Sequence, residues 1–136
     1  MPKKIVCVED DPDVLDLLTC VLQDPEIEVY PVLGSAKGLD IIQNVQPDLI
    51  LLDLFMPNMG GWDLLQLVRS QAALKDVPVI MISACHADIS NALYDGLKQQ
   101  VTQYIRKPFS PLQVRLTVER ILGLISADAP AMLALL

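Results

Sequence analysis

Short apolar runs alternate along the chain with longer segments in which apolar residues recur every three or four positions. A short apolar run is typical of a buried strand, and an apolar repeat of three to four residues is typical of an amphipathic helix. Runs of the first kind lie at 4–8, 27–32, 49–52, 78–82 and 103–106. Segments of the second kind lie at 12–23, 35–45, 61–73, 87–100 and 111–125. The pattern therefore predicts a β-α unit repeated five times.

Alternating strands and helices predict an α/β fold, in which a parallel sheet is covered by helices on both faces. The middle strands are almost wholly apolar, as expected when both faces are buried. Pro12 suits the first turn of a helix, and Ser35 and Ser110 are predicted helix N-caps. The predicted domain spans residues 1–125. Residues 126–136 are predicted to be a C-terminal tail or the start of a linker.

Chemically reactive side chains follow four of the predicted strands. Glu9 and Asp10 follow the first strand, Asp53 the third, Ser83 the fourth and Lys107 the fifth. The carboxyl ends of parallel strands lie at one edge of an open sheet, where such folds bind their ligands. We therefore expect these side chains to meet in one crevice.

The residue types in this crevice predict phosphoryl chemistry. Clustered carboxylates raise one another's pKa unless a cation neutralises them, and oxygen ligands without His or Cys favour Mg²⁺. A carboxylate can also act as a nucleophile and form an acyl phosphate. Asp53 beside a metal ion, with the ammonium of Lys107 and the hydroxyl of Ser83 to hold phosphoryl oxygens, makes a complete phosphoryl-transfer site.

Composition narrows the class of protein. The 136 residues suit one domain, no apolar run approaches the length of about 18 residues that a membrane span needs, and the Met-Pro-Lys-Lys start lacks the apolar segment of a signal peptide. We expect a cytoplasmic protein without a membrane partner. The net charge of −7 predicts no direct nucleic-acid binding by this chain. The three cysteines show no C-x-x-C spacing, so neither a disulfide framework nor a zinc site is predicted.

Four segments together resemble the response-regulator receiver domain, the acceptor half of two-component signalling. They read VEDD, LLDLFMPNMGG, ISA and YIRKPF, in the order and near the spacing usual in that family. The resemblance covers nearly the whole chain up to about residue 125. It implies a flavodoxin-like, doubly wound five-stranded sheet with the strand order 2-1-3-4-5.

The resemblance also implies a role for each matching residue of the crevice. Asp53 corresponds to the phosphoacceptor, and Lys107 to the lysine that pairs with the phosphate. Glu9 and Asp10 correspond to the acidic pair that binds Mg²⁺, with Asp10 the direct ligand. The backbone carbonyl of Phe55 corresponds to a further ligand of the metal.

Further matches concern the switch and the neighbouring loops. Ser83 corresponds to the residue that bonds the phosphoryl group and moves toward it, and Tyr104 to the aromatic residue that then turns inward. The bond between Lys107 and Pro108 corresponds to a cis peptide. Gly61 corresponds to the glycine of the turn after the acceptor strand.

The implied function is a phosphorylation-dependent switch rather than an enzyme acting on other molecules. A sensor histidine kinase, a phosphotransfer protein or a small acyl phosphate would phosphorylate Asp53. The response would be a change in the surface of the fourth helix, fifth strand and fifth helix (α4-β5-α5), which would control a partner or output domain or form a homodimer. The charged residues predicted for this surface are Asp95, Lys98, Arg106, Arg115, Glu119 and Arg120.

Other functions on this fold make different demands on the sequence. An aspartyl-phosphate phosphatase needs a second acid where Phe55 stands, and a flavin carrier needs a phosphate-cradling loop in place of 9–11. An interaction module that is never phosphorylated stays open as an alternative. Phe55 and Cys85 flank the path by which water would reach an acyl phosphate, and since neither readily orients a water, we predict slow self-dephosphorylation. His86, the single histidine, is predicted to be a solvated loop residue.

Overall fold

The computed structural model describes residues 1–84 and 95–125 of the chain. The strands in this part are β1 (Lys3–Glu9), β2 (Ile27–Leu33), β3 (Leu49–Asp53), β4 (Val79–Ser83) and β5 (Gln103–Arg106). The helices are α1 (Pro12–Val21), α2 (Gly38–Val45), α3 (Gly61–Arg69), α4 (Asp95–Lys98) and α5 (Pro111–Ile121), with a short 3₁₀ helix at Ala72–Leu74. The predicted start of the fourth helix, Cys85, His86 and the predicted tail at 126–136 lie outside the described residues.

The five strands form one parallel sheet in the order β2-β1-β3-β4-β5. This confirms the predicted doubly wound α/β fold with the strand order 2-1-3-4-5. The chain passes from β1 outward to β2 and then returns past β1 to β3, so the direction of winding reverses between β1 and β3. In such sheets ligands bind at the carboxyl ends of the strands on either side of this reversal.

Apolar side chains pack in two layers, one on each face of the sheet. The layer against α2 and α3 includes Leu52 and Trp62, and the layer against α1 and α5 includes Leu18 and Val114. Every residue of β3 and β4 is buried. Both faces of these strands are covered by helices, which explains why their sequences are continuously apolar. In the described part of the chain, no helix has both the length and the apolar character needed to span a membrane.

Two helix starts agree with the sequence prediction. Pro12 occupies the first turn of α1, where Asp11 is the N-cap and accepts a hydrogen bond from the backbone N–H of Asp13 at 2.9 Å. Ser110 caps α5 in the same way, by accepting from the backbone N–H of Gln113 at 3.3 Å. In both cases a side-chain oxygen satisfies an N–H that the helix leaves unpaired.

The predicted N-cap at Ser35 is wrong. The N-cap of α2 is Lys37, it makes no side-chain capping bond, and the helix begins at Gly38. A Cβ atom at Gly38 would lie 3.0 Å from a methyl group of Leu64. Close packing of α2 against α3, rather than a capping side chain, therefore accompanies the start of this helix.

Arg115 and Glu119 do not belong to the charged α4-β5-α5 surface predicted from the sequence. Arg115 donates hydrogen bonds to the carbonyls of Val21 and Gln23 at the end of α1, and to the carboxylates of Asp24 and Glu119. These contacts direct both side chains toward α1, on the opposite face of the sheet from α4. That part of the prediction is therefore wrong.

Candidate functional site

Three carboxylates converge at the carboxyl edge of the sheet. Glu9 ends β1 and Asp53 ends β3, and these strands are neighbours in which Val8 lies opposite Leu52. One oxygen from each of Glu9, Asp10 and Asp53 lies within 4.8 Å of the others. Glu9 and Asp53 are buried, and Asp10 is exposed. The sheet topology thus assembles the predicted acidic cluster from residues far apart in sequence.

Lys107 brings a positive charge to this cluster from the end of β5. Its ammonium donates a hydrogen bond to Glu9 Oε1 at 2.9 Å and lies 3.6 Å from Asp53 Oδ2. Its backbone N–H donates to the carbonyl of Ser83 at 2.8 Å, which ties the residue to β4. The peptide bond between Lys107 and Pro108 is cis, as predicted. The ammonium is therefore held beside both buried carboxylates.

The crevice contains more acidic than basic side chains. Burial, together with hydrogen bonding to Asp10 and Glu9 and the charge of Glu9, raises the pKa of Asp53 to about 8, and Lys107 offsets this only in part. Burial acts to lower the pKa of Lys107, but its bond to Glu9 and the nearby carboxylates raise it overall. One lysine therefore does not compensate for three acids, and a further cation would be stabilised here.

Buried oxygen atoms of the cluster are suited to ligate such a cation. Glu9 Oε2 and Asp53 Oδ2 are buried and accept no hydrogen bond within the described part of the chain. A buried carboxylate oxygen without a hydrogen bond is energetically unfavourable, so such atoms call for a ligand. Three carboxylates without nitrogen or sulfur ligands form a set that Mg²⁺ prefers. The residues present therefore fit Mg²⁺.

The loop after β3 folds tightly against the candidate acceptor. The backbone N–H of Phe55 donates to Asp53 Oδ1 at 3.2 Å, and the Phe55 side chain is 74% exposed. A Cβ atom at Gly61 would lie 2.5 Å from the carbonyl oxygen of Asp53 and 2.8 Å from Cα of Leu54. No other residue fits there without moving the backbone, which agrees with the predicted need for glycine.

The two predicted switch residues occupy different places. Ser83 is buried at the end of β4, the strand that neighbours the Asp53 strand, and so lies at the edge of the crevice. Tyr104 lies on β5, its ring packs against Trp62 with 6.3 Å between centroids, and its hydroxyl donates to the carbonyl of Lys98 at 3.3 Å. Burial raises the pKa of this tyrosine. The contact between Tyr104 and Trp62 was not predicted from the sequence.

An apolar groove lies beside the crevice and was also missed by sequence reasoning. It has a volume of about 530 Å³ and is lined by Val14, Leu17, Ala84, Lys107, Pro108 and Phe109. Leu17 is 43% exposed, although it lies on an amphipathic helix whose apolar face is otherwise turned to the core. In the sequence Leu17 is one of several apolar residues of α1, and neither its exposure nor the groove follows without knowing which loop packs against that helix.

The fold and the site together define a class of protein. It is a doubly wound α/β domain whose crevice combines a buried aspartate with an acidic pair and a lysine. Residues 5–119 match the family described as the response regulator receiver domain, and the chain belongs to that family. Its fold is therefore that of a signalling domain of two-component response regulators, as the sequence resemblance predicted.

Individual relatives place the chain among longer and shorter regulators. The DNA-binding response regulator MtrA of Mycolicibacterium smegmatis is 31% identical over 114 residues, which cover 84% of this chain and 48% of MtrA. The transcriptional regulatory protein CssR of Bacillus subtilis is 34% identical over 132 residues, covering 96% of this chain and 56% of CssR. The chain thus spans about half the length of these curated relatives. The chemotaxis response regulator CheY4 of Vibrio cholerae has a solved structure that matches with a TM-score of 0.78 and 25% identity, over 89% of this chain and 99% of that one.

Proposed function

We propose that the chain is a phosphorylation-dependent signalling switch in which Asp53 is the phosphoacceptor. The observation that carries this proposal is the position of the Asp53 carboxylate. It is buried, it lies 3.6 Å from the Lys107 ammonium, and it shares a crevice with Glu9 and Asp10. A carboxylate in these surroundings can act as the nucleophile that accepts a phosphoryl group.

The acidic cluster supplies the ligands for a metal ion. Glu9, Asp10, Asp53 and the backbone carbonyl of Phe55 would hold Mg²⁺, with Asp10 as the direct ligand of the acidic pair. Bound there, the ion supplies positive charge that keeps Asp53 ionised and offsets the charge of the phosphoryl oxygens. The buried oxygens of Glu9 and Asp53 that accept no hydrogen bond support this assignment.

The transfer itself is a displacement at phosphorus. A carboxylate oxygen of Asp53 forms a bond to phosphorus while the bond between phosphorus and the donor's nitrogen or oxygen breaks, and the donor atom keeps the electron pair. Lys107, already within reach of Asp53, holds one phosphoryl oxygen. Ser83 donates its hydroxyl to another. In this proposal the chain catalyses only its own phosphorylation and the later hydrolysis of the acyl phosphate.

The donor is a sensor histidine kinase or a phosphotransfer protein, and small acyl phosphates can substitute for it. A protein donor must bring its phosphohistidine to Asp53 and therefore contact the rim of the crevice. The groove between α1 and the Lys107–Phe109 loop lies on that rim and exposes Leu17. Apolar area beside a polar reaction centre is suited to bind a helix of the donor.

The output is a change at the α4-β5-α5 surface, which Ser83 and Tyr104 connect to Asp53. The remaining charged residues proposed for that surface are Asp95, Lys98, Arg106 and Arg120, of which the side chain of Asp95 lies outside the described part of the chain. It controls a partner or an output domain, or forms a homodimer. The longer relative MtrA is named a DNA-binding regulator. We propose that this chain consists of an acidic, cytoplasmic domain at residues 1–125, followed by a tail or linker at 126–136. Any DNA contact then belongs to a partner or output domain.

The test is the intact mass of the protein after incubation with acetyl phosphate, with and without Mg²⁺. One added phosphoryl group that requires Mg²⁺ and is lost in Asp53→Asn is the expected result. An unmodified mass under all conditions would contradict the proposal and favour an interaction module that functions without phosphorylation.

A further inference from the structure

We propose that Trp62 is a positioning residue for Tyr104. In this proposal the indole stabilises the orientation of Tyr104 in which the hydroxyl faces α4, and so opposes the inward turn that follows phosphorylation. The inference rests on the proposed function, because it concerns how modification of Asp53 reaches α4. It adds a connection through α3 to the one that Ser83 provides.

Trp62 is fixed to the turn that follows the acceptor strand. It comes directly after Gly61, whose Cα is so close to the carbonyl of Asp53 that a Cβ would lie 2.5 Å from the oxygen. The N–H of Gly61 also donates to the carbonyl of Leu54 at 2.9 Å. Trp62 itself is only 5% exposed. Its backbone position is therefore tied to the strand end that carries Asp53.

In this proposal the indole is the main restraint on the Tyr104 ring, and the hydroxyl bond is the weaker one. The two rings are tilted by 56° with 6.3 Å between their centroids, within the range of favourable aromatic pairs. The bond from the Tyr104 hydroxyl to the carbonyl of Lys98 measures 3.3 Å, longer than a usual O–H···O bond of about 2.5–3.0 Å. Loss of the hydroxyl should therefore matter less than loss of the ring contact.

The contact lies on the face of the sheet along which Tyr104 would approach Ser83. Val79 and Met81 of β4 pack in the same core layer as Trp62 and Tyr104. Side chains alternate along a strand, so Ser83 follows Val79 and Met81 on that face. Movement of Tyr104 toward Ser83 would thus change its contact with the indole.

A second contact between α3 and the end of α4 supports this connection. Arg69, at the end of α3, donates to the carbonyl of Gln100 at 2.7 Å and to the carbonyl of Leu74 at 3.0 Å. The segment after α4 is therefore attached to α3 independently of Tyr104. A change in the ring contact would act on an α4 whose far end is held in place.

The experiment measures binding of beryllofluoride, a phosphoryl analogue, in the presence of Mg²⁺, by the ¹⁹F signal of the bound analogue. Trp62→Met should tighten binding by about 2- to 10-fold, the range expected when an aromatic pair that opposes the bound state is removed. Trp62→Phe keeps a ring and should return binding toward the wild-type value. Val68→Ala, a buried change in the same helix and core layer, should leave it unchanged.

Two further variants test whether Trp62 acts through Tyr104. In a Tyr104→Ala background, Trp62→Met should have no further effect, and Tyr104→Phe alone should change binding less than about twofold. Unchanged or weaker binding in Trp62→Met, or an equal effect without Tyr104, would overturn the inference while wild-type binding upheld the proposed function. Tyr104→Phe also tests it if Trp62→Met does not fold, since a larger effect would assign the restraint to the hydroxyl. Absence of binding by the wild type would overturn both.

Discussion

Two clusters of charged side chains in this domain each combine one basic residue with acidic residues, but they differ in burial and in hydrogen bonding. In the cluster around Arg115, one guanidinium donates to two backbone carbonyls and to the carboxylates of Asp24 and Glu119. These side chains remain 18–29% exposed. In the crevice, Lys107 stands beside three acids, of which Glu9 and Asp53 are almost completely buried.

The differences in burial and hydrogen bonding indicate that the Arg115 cluster has a structural role and the crevice a chemical one. The Arg115 cluster has its hydrogen bonds formed and its charges near solvent, so it connects α5 to α1 and requires no ligand. The crevice contains buried oxygens without hydrogen bonds and an aspartate whose pKa is raised to about 8. Unsatisfied buried charge is unfavourable for folding and is typical of sites that bind a cation or carry out chemistry.

The largest expected effect is the loss of phosphorylation rate when Lys107, the basic residue of the crevice, is replaced; the matching replacement of Arg115 is the control. Lys107→Met should slow phosphorylation by acetyl phosphate by about 100-fold or more, because a charge that holds the phosphoryl oxygens is lost. Arg115→Met should leave the rate within about twofold of wild type. The measurement is the initial rate of the mass increase, and equal losses in both variants would erase the distinction between the clusters.

A pH-dependent change in stability should follow from neutralising Asp53. The folded pKa of about 8 lies above the unfolded value of about 4, so the protonated form contributes stability that is lost as pH rises between those values. Asp53→Asn should therefore stabilise the metal-free protein by about 1 to 3 kcal/mol at pH 9 and by less at pH 5. Urea unfolding in EDTA measures this.

Added Mg²⁺ provides the control for that experiment. It should raise the unfolding free energy of the wild type at pH 9 and have little effect on Asp53→Asn, since a ligand stabilises only the folded form that binds it. If Asp53→Asn raised the unfolding free energy equally at both pH values, the effect would not come from ionisation of Asp53, and the raised pKa would be contradicted.

A smaller, kinetic effect concerns water at the crevice. The exposed Phe55 side chain has no group that can orient a water molecule. Phe55→Asn should speed loss of the phosphoryl group by roughly 10-fold, whereas Phe55→Leu should not change it. The lifetime of the phosphorylated form after removal of acetyl phosphate is the readout, and identical lifetimes would contradict a role for this position.

The smallest effect belongs to the Arg115 cluster itself. Because its pairs are partly exposed, Arg115→Met should lower the unfolding free energy by about 1 kcal/mol. The loss should be nearly the same at pH 6 and pH 9, in contrast to the Asp53 effect. If this loss of unfolding free energy depended strongly on pH, the cluster would also contain an acid whose pKa is shifted by folding.

Much of the fold follows from local pattern. The apolar runs predicted all five strands, and the residues at the strand ends predicted the acidic cluster, because parallel strands bring their carboxyl ends together. Ser110 was predicted as a cap correctly because capping depends on neighbours in sequence. The strand order, by contrast, came from the family resemblance.

Except for the cap at Ser35, the sequence predictions that were wrong or missing concern contacts between elements that are distant in sequence. Ser35 is not the cap of α2, because a turn in which its carbonyl accepts from the N–H of Gly38 separates it from the start of the helix. Arg115 contacts Asp24, 91 residues away, and a charge pattern on one helix does not show which neighbouring helix its side chains reach. The packing of Trp62 on Tyr104 depends in the same way on how α3 lies against β5.

The residue that carries the phosphoryl group can be identified chemically. After acetyl phosphate treatment with Mg²⁺, borohydride reduces an acyl phosphate of aspartate to homoserine, which peptide mass spectrometry locates. If Asp53 is the phosphoacceptor, homoserine is expected at position 53 and Glu9 and Asp10 remain unmodified. Modification of another acid in place of Asp53, or of none, would contradict it.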